Sequence, residues 1–165
     1  MANIAELKQR LQAIQSKPSS NGGIDYKKVY WKPSVGKQVI RILPNKYDKE
    51  NPFTEISIHY GIGKNKMAAL TNYGEKDPII EFSEAIKKDD WKLSNKIKPK
   101  FRVFAQVVVR GEEEMGPRIW EFGKEVYAEL LGIMTDEDYG DITDITKGRD
   151  ITVDTLGPED SGKKY

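Results

Sequence analysis

The sequence has no cysteine and one histidine, His59. The first absence excludes disulfides, thiolate metal sites and a cysteine nucleophile. The second excludes a multi-histidine metal centre. No apolar run approaches the ~20 residues of a membrane span, and the opening residues read without a secretory signal. Net charge is nearly absent too, at +1. What remains is 165 residues, 38% hydrophobic and 32% charged. That is the make-up of a soluble globular protein with one domain and its own core.

The small net charge hides a segregation. From Lys17 to Lys49, Lys and Arg outnumber acids eight to two; from Lys87 to Arg110 they do so again. From Gly111 to Ile145 eleven acids face Arg118 and Lys124. Two basic segments and one acidic one imply a polarised surface, or else two solvated lysine-rich loops.

Two segments alternate as strands do. In Val39-Ile40-Arg41-Ile42, Ile40 and Ile42 point to one face and Val39 and Arg41 to the other, with Lys37 on the Arg41 side. Pro44 and Asn45 end the run, and Lys46 and Tyr47 follow in the turn. In Lys100–Arg110, Phe101, Val103, Ala105, Val107 and Val109 form a core face. Lys100, Arg102, Phe104, Gln106, Val108 and Arg110 form the other. A ring between cations suits single-stranded nucleic acid, whose bases stack while its phosphates pair. The alternative is that a loop caps Phe104.

The rest of the chain falls around these strands. Asn3-Ile4-Ala5-Glu6 is a capping-box pattern, and Ile4, Leu7, Leu11 and Ile14 follow at helical spacing, with Lys8 and Arg10 on the polar side. Residues 1–17 are therefore an expected helical arm, which docks on its own barrel or on a neighbouring molecule. Residues 18–24 have linker composition. Tyr26–Pro33 interleaves Tyr26, Lys27, Lys28, Tyr30, Trp31 and Lys32, a pattern for base stacking or an aromatic plug in the core. Phe53–Tyr60 alternates, with Ile56, Ile58 and Tyr60 opposite Glu55, Ser57 and His59; His59 reads as a surface residue. A turn bearing Lys64 and Lys66 leads to a returning strand over Met67–Tyr73. Asp77-Pro78 opens a short helix with stripe Ile79, Phe82, Ile86. Asp89–Pro99, with Trp91 and Lys98, reads as a mobile loop. Arg118–Phe122 is a strand with Arg118, Trp120 and Phe122 on one face. Lys124–Met134 is a helix, and Asp141–Thr155 a hairpin about Lys147-Gly148. The expected class is mainly β: an OB-like Greek-key barrel with a helical insertion, core 25–157 and tail 158–165.

The ordered set VIRILP with downstream NPF, FAQVVV, WEFGKEVY and DITDITKGRDITV resembles the single-stranded DNA-binding (helix-destabilising) protein family of T4-like bacteriophages. AELKQRL resembles that family's N-terminal segment, which promotes cooperative binding. The resemblance implies an OB fold binding single strands without sequence preference in phage replication, recombination and repair, in the cytoplasm of the infected bacterium. It implies contacts with neighbouring copies through the arm and with replication and recombination proteins. It places Arg41 on the DNA side, Arg102 and Phe104 in the cleft and Trp120 near it. The T4 member's zinc-binding lobe of one His and three Cys has no counterpart set here. The lobe is expected to hold by packing of Ile62, Leu70, Ile79 and Phe82, with no metal and no cofactor. The family's acidic tail also lacks a match in Asp160-Ser161-Gly162-Lys163-Lys164-Tyr165, read as a tail remnant.

The DNA-binding set is thus Lys32, Lys37, Arg41, Lys46, Tyr47, Lys64, Lys66, Lys98, Lys100, Arg102, Phe104, Gln106, Arg110 and Trp120. The cooperativity set is Ile4, Leu7, Lys8, Arg10 and Leu11. Rival readings are an RNA-binding or cold-shock-like module, a structural adaptor, and a nuclease using Asp136, Glu137, Asp138, Asp141 and Asp144 around Mg²⁺. The last run has the make-up of a solvated acidic loop, so the chain reads as a binding protein and not an enzyme.

Overall fold

Residues 25–48, 50–63 and 65–157 are described by the computed structural model. The arm with Ile4, Leu7, Lys8, Arg10 and Leu11, the linker, the tail and Lys64 lie outside the described residues. In chain order the elements are α1 (Tyr26–Val29), β1 (Tyr30–Trp31), β2 (Gly36–Ile42), β3 (Thr54–His59) and β4 (Met67–Ala68). There follow α2 (Pro78–Ala85), α3 (Trp91–Ile97), β5 (Lys100–Val109), β6 (Arg118–Phe122), α4 (Lys124–Thr135) and β7 (Ile151–Thr155).

The seven strands make one mixed sheet ordered β1-β6-β5-β2-β7, with β3 joined to β5 and β4 to β3. β1 runs parallel to β6, and the other pairings are antiparallel. The sheet stays open: β1 and β7 end the path without pairing to each other. The closed barrel that the strand pattern suggested is therefore not formed among the described residues. β1 supplies only two residues, too short a ladder to carry closure.

The alternation in β5 sorts its residues as its sequence requires. Val103, Ala105, Val107 and Val109 are buried, and Ile40 and Ile42 of β2 join them. The register pairs Ile40 with Val109 and Ile42 with Val107. Ile151 of β7 is partly buried against it. Phe101 starts the strand beyond this packing and stays partly exposed, beside Tyr127. Rings fill the other end: Trp31 and Trp120 meet edge-on at 5.5 Å, and Trp120 lies 4.5 Å from Phe122. Each such fully buried side chain is worth roughly 1.5–3 kcal/mol. α4 forms as expected and lays Val126, Leu130 and Ile133 on the core. Tyr127 Oη–H donates to Glu55 Oε1 at 2.6 Å. Burial, and then the adjacent carboxylate, push that phenol up to about 12.

Residues 69–98 form a helical lobe, and three expectations about it change. The return strand is only Met67–Ala68; Leu70–Tyr73 winds into a 3₁₀ turn. Asp89–Pro99 is not a loop: Asp90 caps Leu93 N–H, and Ser94 and Ile97 bury one side of α3, leaving Trp91 62% exposed. Nor does the expected apolar packing close the lobe, since Phe82 is 54% exposed and Leu70 39%. A buried polar pair does this instead. His59, 1% exposed rather than on the surface, sets Nδ1 2.8 Å from the Ile97 carbonyl. Its Nε2 lies 3.0 Å from Asp77 Oδ2. Asp77 also accepts from Leu70 N–H at 2.8 Å and, as the cap of α2, from Ile79 and Ile80 N–H. One carboxylate thus ties β3, the 3₁₀ turn and α2 together. Burial alone would raise its pKa, but the hydrogen bonds from His59 and the three amides outweigh burial and lower it from 3.8 to about 2.

The expected hairpin over Asp141–Thr155 is half realised. Asp141 accepts from Thr143 N–H, and Asp144 from Thr146 and Lys147 N–H. These bonds fold the segment into turns, and only β7 pairs, with β2. Gly148 sits where any Cβ would lie 2.3 Å from the Asp144 carbonyl oxygen.

Asp77→Ala should therefore cost roughly 1–3 kcal/mol, the penalty of leaving buried donors without an acceptor, whereas Phe82→Ala should stay within about 1 kcal/mol. Urea titrations of both variants check this. Because the folded-state pKa is lowered, the carboxylate stabilises fully above its ordinary value of 3.8, and that share is lost as pH falls towards about 2. In urea titrations stepped down through that range, the gap between parent and Asp77→Asn should close.

Candidate nucleic-acid interface

The face of β5 opposite the core carries Arg102, Phe104 and Gln106. Register extends this face sideways. Phe104 stands between Glu121 of β6 and Thr54 of β3, Gln106 beside Ile119, and Ile119 beside Tyr30 of β1. Arg102 stands beside Ile56. The segment between β2 and β3 rises over it. Leu43 N–H still donates to the Gln106 carbonyl at 2.8 Å. The chain then curls through side-chain turns, with Asn45 accepting from Tyr47 N–H, Asp48 from Glu50 and Asn51 N–H, and Asn51 from Phe53 N–H.

Between loop and sheet lies a groove of about 490 Å³. Phe104, Gln106, Ile56, Thr54 and Ile119 line it from the sheet, Tyr30 from β1, and Leu43, Asn45, Tyr47 and Pro52 from the loop. Tyr47 is 92% exposed, and Lys46 Nζ lies 5.8 Å from its ring centre. A ring that exposed contributes little to the stability of the fold. Of the residues singled out from sequence, Tyr47, Phe104 and Gln106 meet in this groove. Tyr30 appeared in the sequence only as part of the aromatic–basic run, and Ile56, Ile119 and Asn45 carried no signal for it.

A second hollow, about 440 Å³, lies where β5 and α4 begin and is lined by Lys100, Phe101, Arg102, Gly123, Lys124, Glu125 and Val126. Near it the cations share one carboxylate. Arg102 Nε is 3.2 Å and Lys66 Nζ 3.8 Å from Glu121, and Tyr60 Oη–H donates to the same group at 3.1 Å. Lys66 and Lys100 lie 5.1 and 5.9 Å from the Tyr60 ring centre.

Other expected site residues stand elsewhere. Trp120 is 3% exposed and belongs to the core, because its register partner is Ala105 on the buried face; it offers no stacking surface. Arg41 shares the outward face but is tied to Asp150 Oδ1 at 3.3 Å and to the Asp144 carbonyl at 3.3 Å. Arg110 makes two 2.9 Å hydrogen bonds to the same Asp150 and lies 3.8 Å from Glu113. These bonds from Arg110, against the opposing effect of burial, hold the Asp150 carboxyl below the usual range. Both guanidinium charges are thus answered inside the fold. Lys37 stands opposite Asp154 in the β2–β7 register, Lys32 is exposed after β1, and Lys98 ends α3. The acidic run shapes turns: Asp136, Asp141 and Asp144 accept backbone amides. Among the described residues no group of three or more His, Cys, Asp or Glu is placed to hold a metal. No described helix is long and apolar enough to cross a membrane.

The Arg41–Asp150–Arg110 cluster yields a stability prediction. Arg41→Ala should lower stability by about 1 kcal/mol, the upper range for a part-exposed pair. A thermal melt at low and high salt checks it, and the difference from the parent should shrink as salt rises.

No known family model and no curated protein matches the chain.

Proposed function

We propose that the protein binds single-stranded DNA without sequence preference, laying bases against Phe104, Tyr47 and Tyr30 and the backbone along Lys46, Lys66, Lys100 and Arg102. The observation that carries this reading is the groove, an open aromatic trough with the 92% exposed Tyr47 on its rim. Aromatic faces accept any base at roughly 1–3 kcal/mol each, and flanking cations follow the phosphates. Of the groove's neighbours, Lys46 stands beside Tyr47, and Lys66, Lys100 and Arg102 cluster about Tyr60 and Glu121. Gln106 and Asn45 supply amides able to serve different base edges.

The open sheet supports the same reading, with β5 at its centre and a loop arching over its outward face. The setting comes from the sequence resemblance to T4-like phage helix-destabilising proteins. It points to cooperative binding through the arm, and to work in phage replication, recombination and repair inside the infected bacterium.

Titration of labelled oligothymidylate against duplex of equal length tests the proposal, with binding to the single strand falling as salt rises. Phe104→Ala should weaken single-strand binding by roughly 1–3 kcal/mol with little change in salt slope, and Tyr47→Ala should act in the same direction. Equal affinity for duplex, or parent-like binding by both variants, overturns the groove as the site. A matched oligouridylate separates a DNA binder from an RNA binder.

A further inference from the structure

Glu121 is an odd neighbour for a polyanion. It is the cross-strand partner of Phe104, so its carboxylate stands on the very face proposed to meet the strand. Two cations and one hydroxyl converge on it: Arg102 and the donating Tyr60 at one oxygen, 3.2 and 3.1 Å away, and Lys66 at the other, 3.8 Å away. Arg102 Nε lies close but does not point at the carboxylate and makes no aligned hydrogen bond. A guanidinium so placed is held to the carboxylate by charge and leaves its Nε–H without an acceptor.

We infer that Arg102, Lys66 and the Tyr60 hydroxyl form a phosphodiester subsite, and that the Glu121 carboxylate fills it in the free protein. The inference rests on the single-strand reading above. A carboxylate presents two oxygens sharing one negative charge, as do the two non-bridging oxygens of a phosphodiester. Both take a cation and a hydroxyl donor in the same way. Binding is then an exchange: the phosphate takes the donors and Glu121 swings out to water. The carboxylate keeps Arg102 and Tyr60 gathered before the strand arrives, and it also competes with the strand, which weakens the complex. It places this subsite one residue pair from the Phe104 ring, so that a base and a neighbouring phosphate are held together.

The sign of one substitution decides between a competitor and a mere support. Oligothymidylate is titrated by fluorescence anisotropy against parent, Glu121→Gln, Glu121→Asp and Glu114→Gln, each shown folded by its melt. Glu114 lies in the turn between β5 and β6 and controls for net charge. Glu121→Gln should bind about two- to fivefold tighter at low salt, the effect of removing one part-exposed pair. Its salt slope should steepen by about one phosphate contact. Glu121→Asp, which keeps the charge but shortens the reach, should gain less. In an Arg102→Ala background the Glu121→Gln gain should shrink. If Glu121→Gln binds no tighter than the parent, or if Glu114→Gln gains as much, the subsite is overturned while the groove stands. A parent that binds no single strand overturns the reading and this inference together.

Discussion

A strand has two edges, and each stretch of an edge holds one partner. β5 gives one edge to β6 along Val103–Val107. On the other edge β3 takes Lys100–Phe104 and β2 takes Val107–Val109. Two strands that are consecutive among the long ones thus meet end to end on one line. The chain between them cannot stay in the sheet and arches over the outward face. That arch, stiffened by its own Asn and Asp turns, makes a flat sheet face into a groove. The same placement sends β3 past the start of β5, where the helical lobe is fastened by His59 and Asp77.

Charge on this face follows a consistent economy. Arg41 and Arg110 converge on Asp150, and Arg102 and Lys66 on Glu121. The two clusters differ in their neighbours. The first binds the segment before β7 to β2 and so belongs to the fold; the second borders the aromatic trough. A count of lysines and arginines along the chain cannot separate the two, because Asp150 and Glu121, on which they converge, are not their sequence neighbours. Asp150 is 109 residues from Arg41.

What could be read in the sequence was period, and what could not was phase and register. The alternation of Ile40 and Ile42, and of Val103 to Val109, named the core correctly because both runs are apolar on one side only. Trp120 was grouped with Arg118 and Phe122 on one face, but nothing local said which face was buried; pairing with Ala105 decides it. In β3 the same ambiguity ran the other way. Glu55 pairs with Val103 and Ile56 with Arg102, so His59 turns inward and Ile56 lines the groove. Hydrophobicity would have chosen the reverse. Asp77 was legible as a cap, since Asp-Pro before an apolar stripe is a local signal. Its bond to His59 depends on how β3 and α2 come together and left no trace in spacing. Tyr30 reached the groove through the parallel β1–β6 pair, which no turn or repeat announces.

The disposition of the tryptophans divides the protein's own optical signal. Trp31 and Trp120 meet edge to face in the core, a chiral pair of coupled indoles shielded from water. Trp91 stands at the start of α3, largely in solvent. The core pair therefore gives near-ultraviolet circular dichroism a contribution that reports whether the sheet is packed. The red edge of the emission reports the helical lobe. Neither indole environment lies in the trough, whose rings are tyrosine and phenylalanine, so the light the molecule emits at long wavelength describes its architecture and leaves its groove dark.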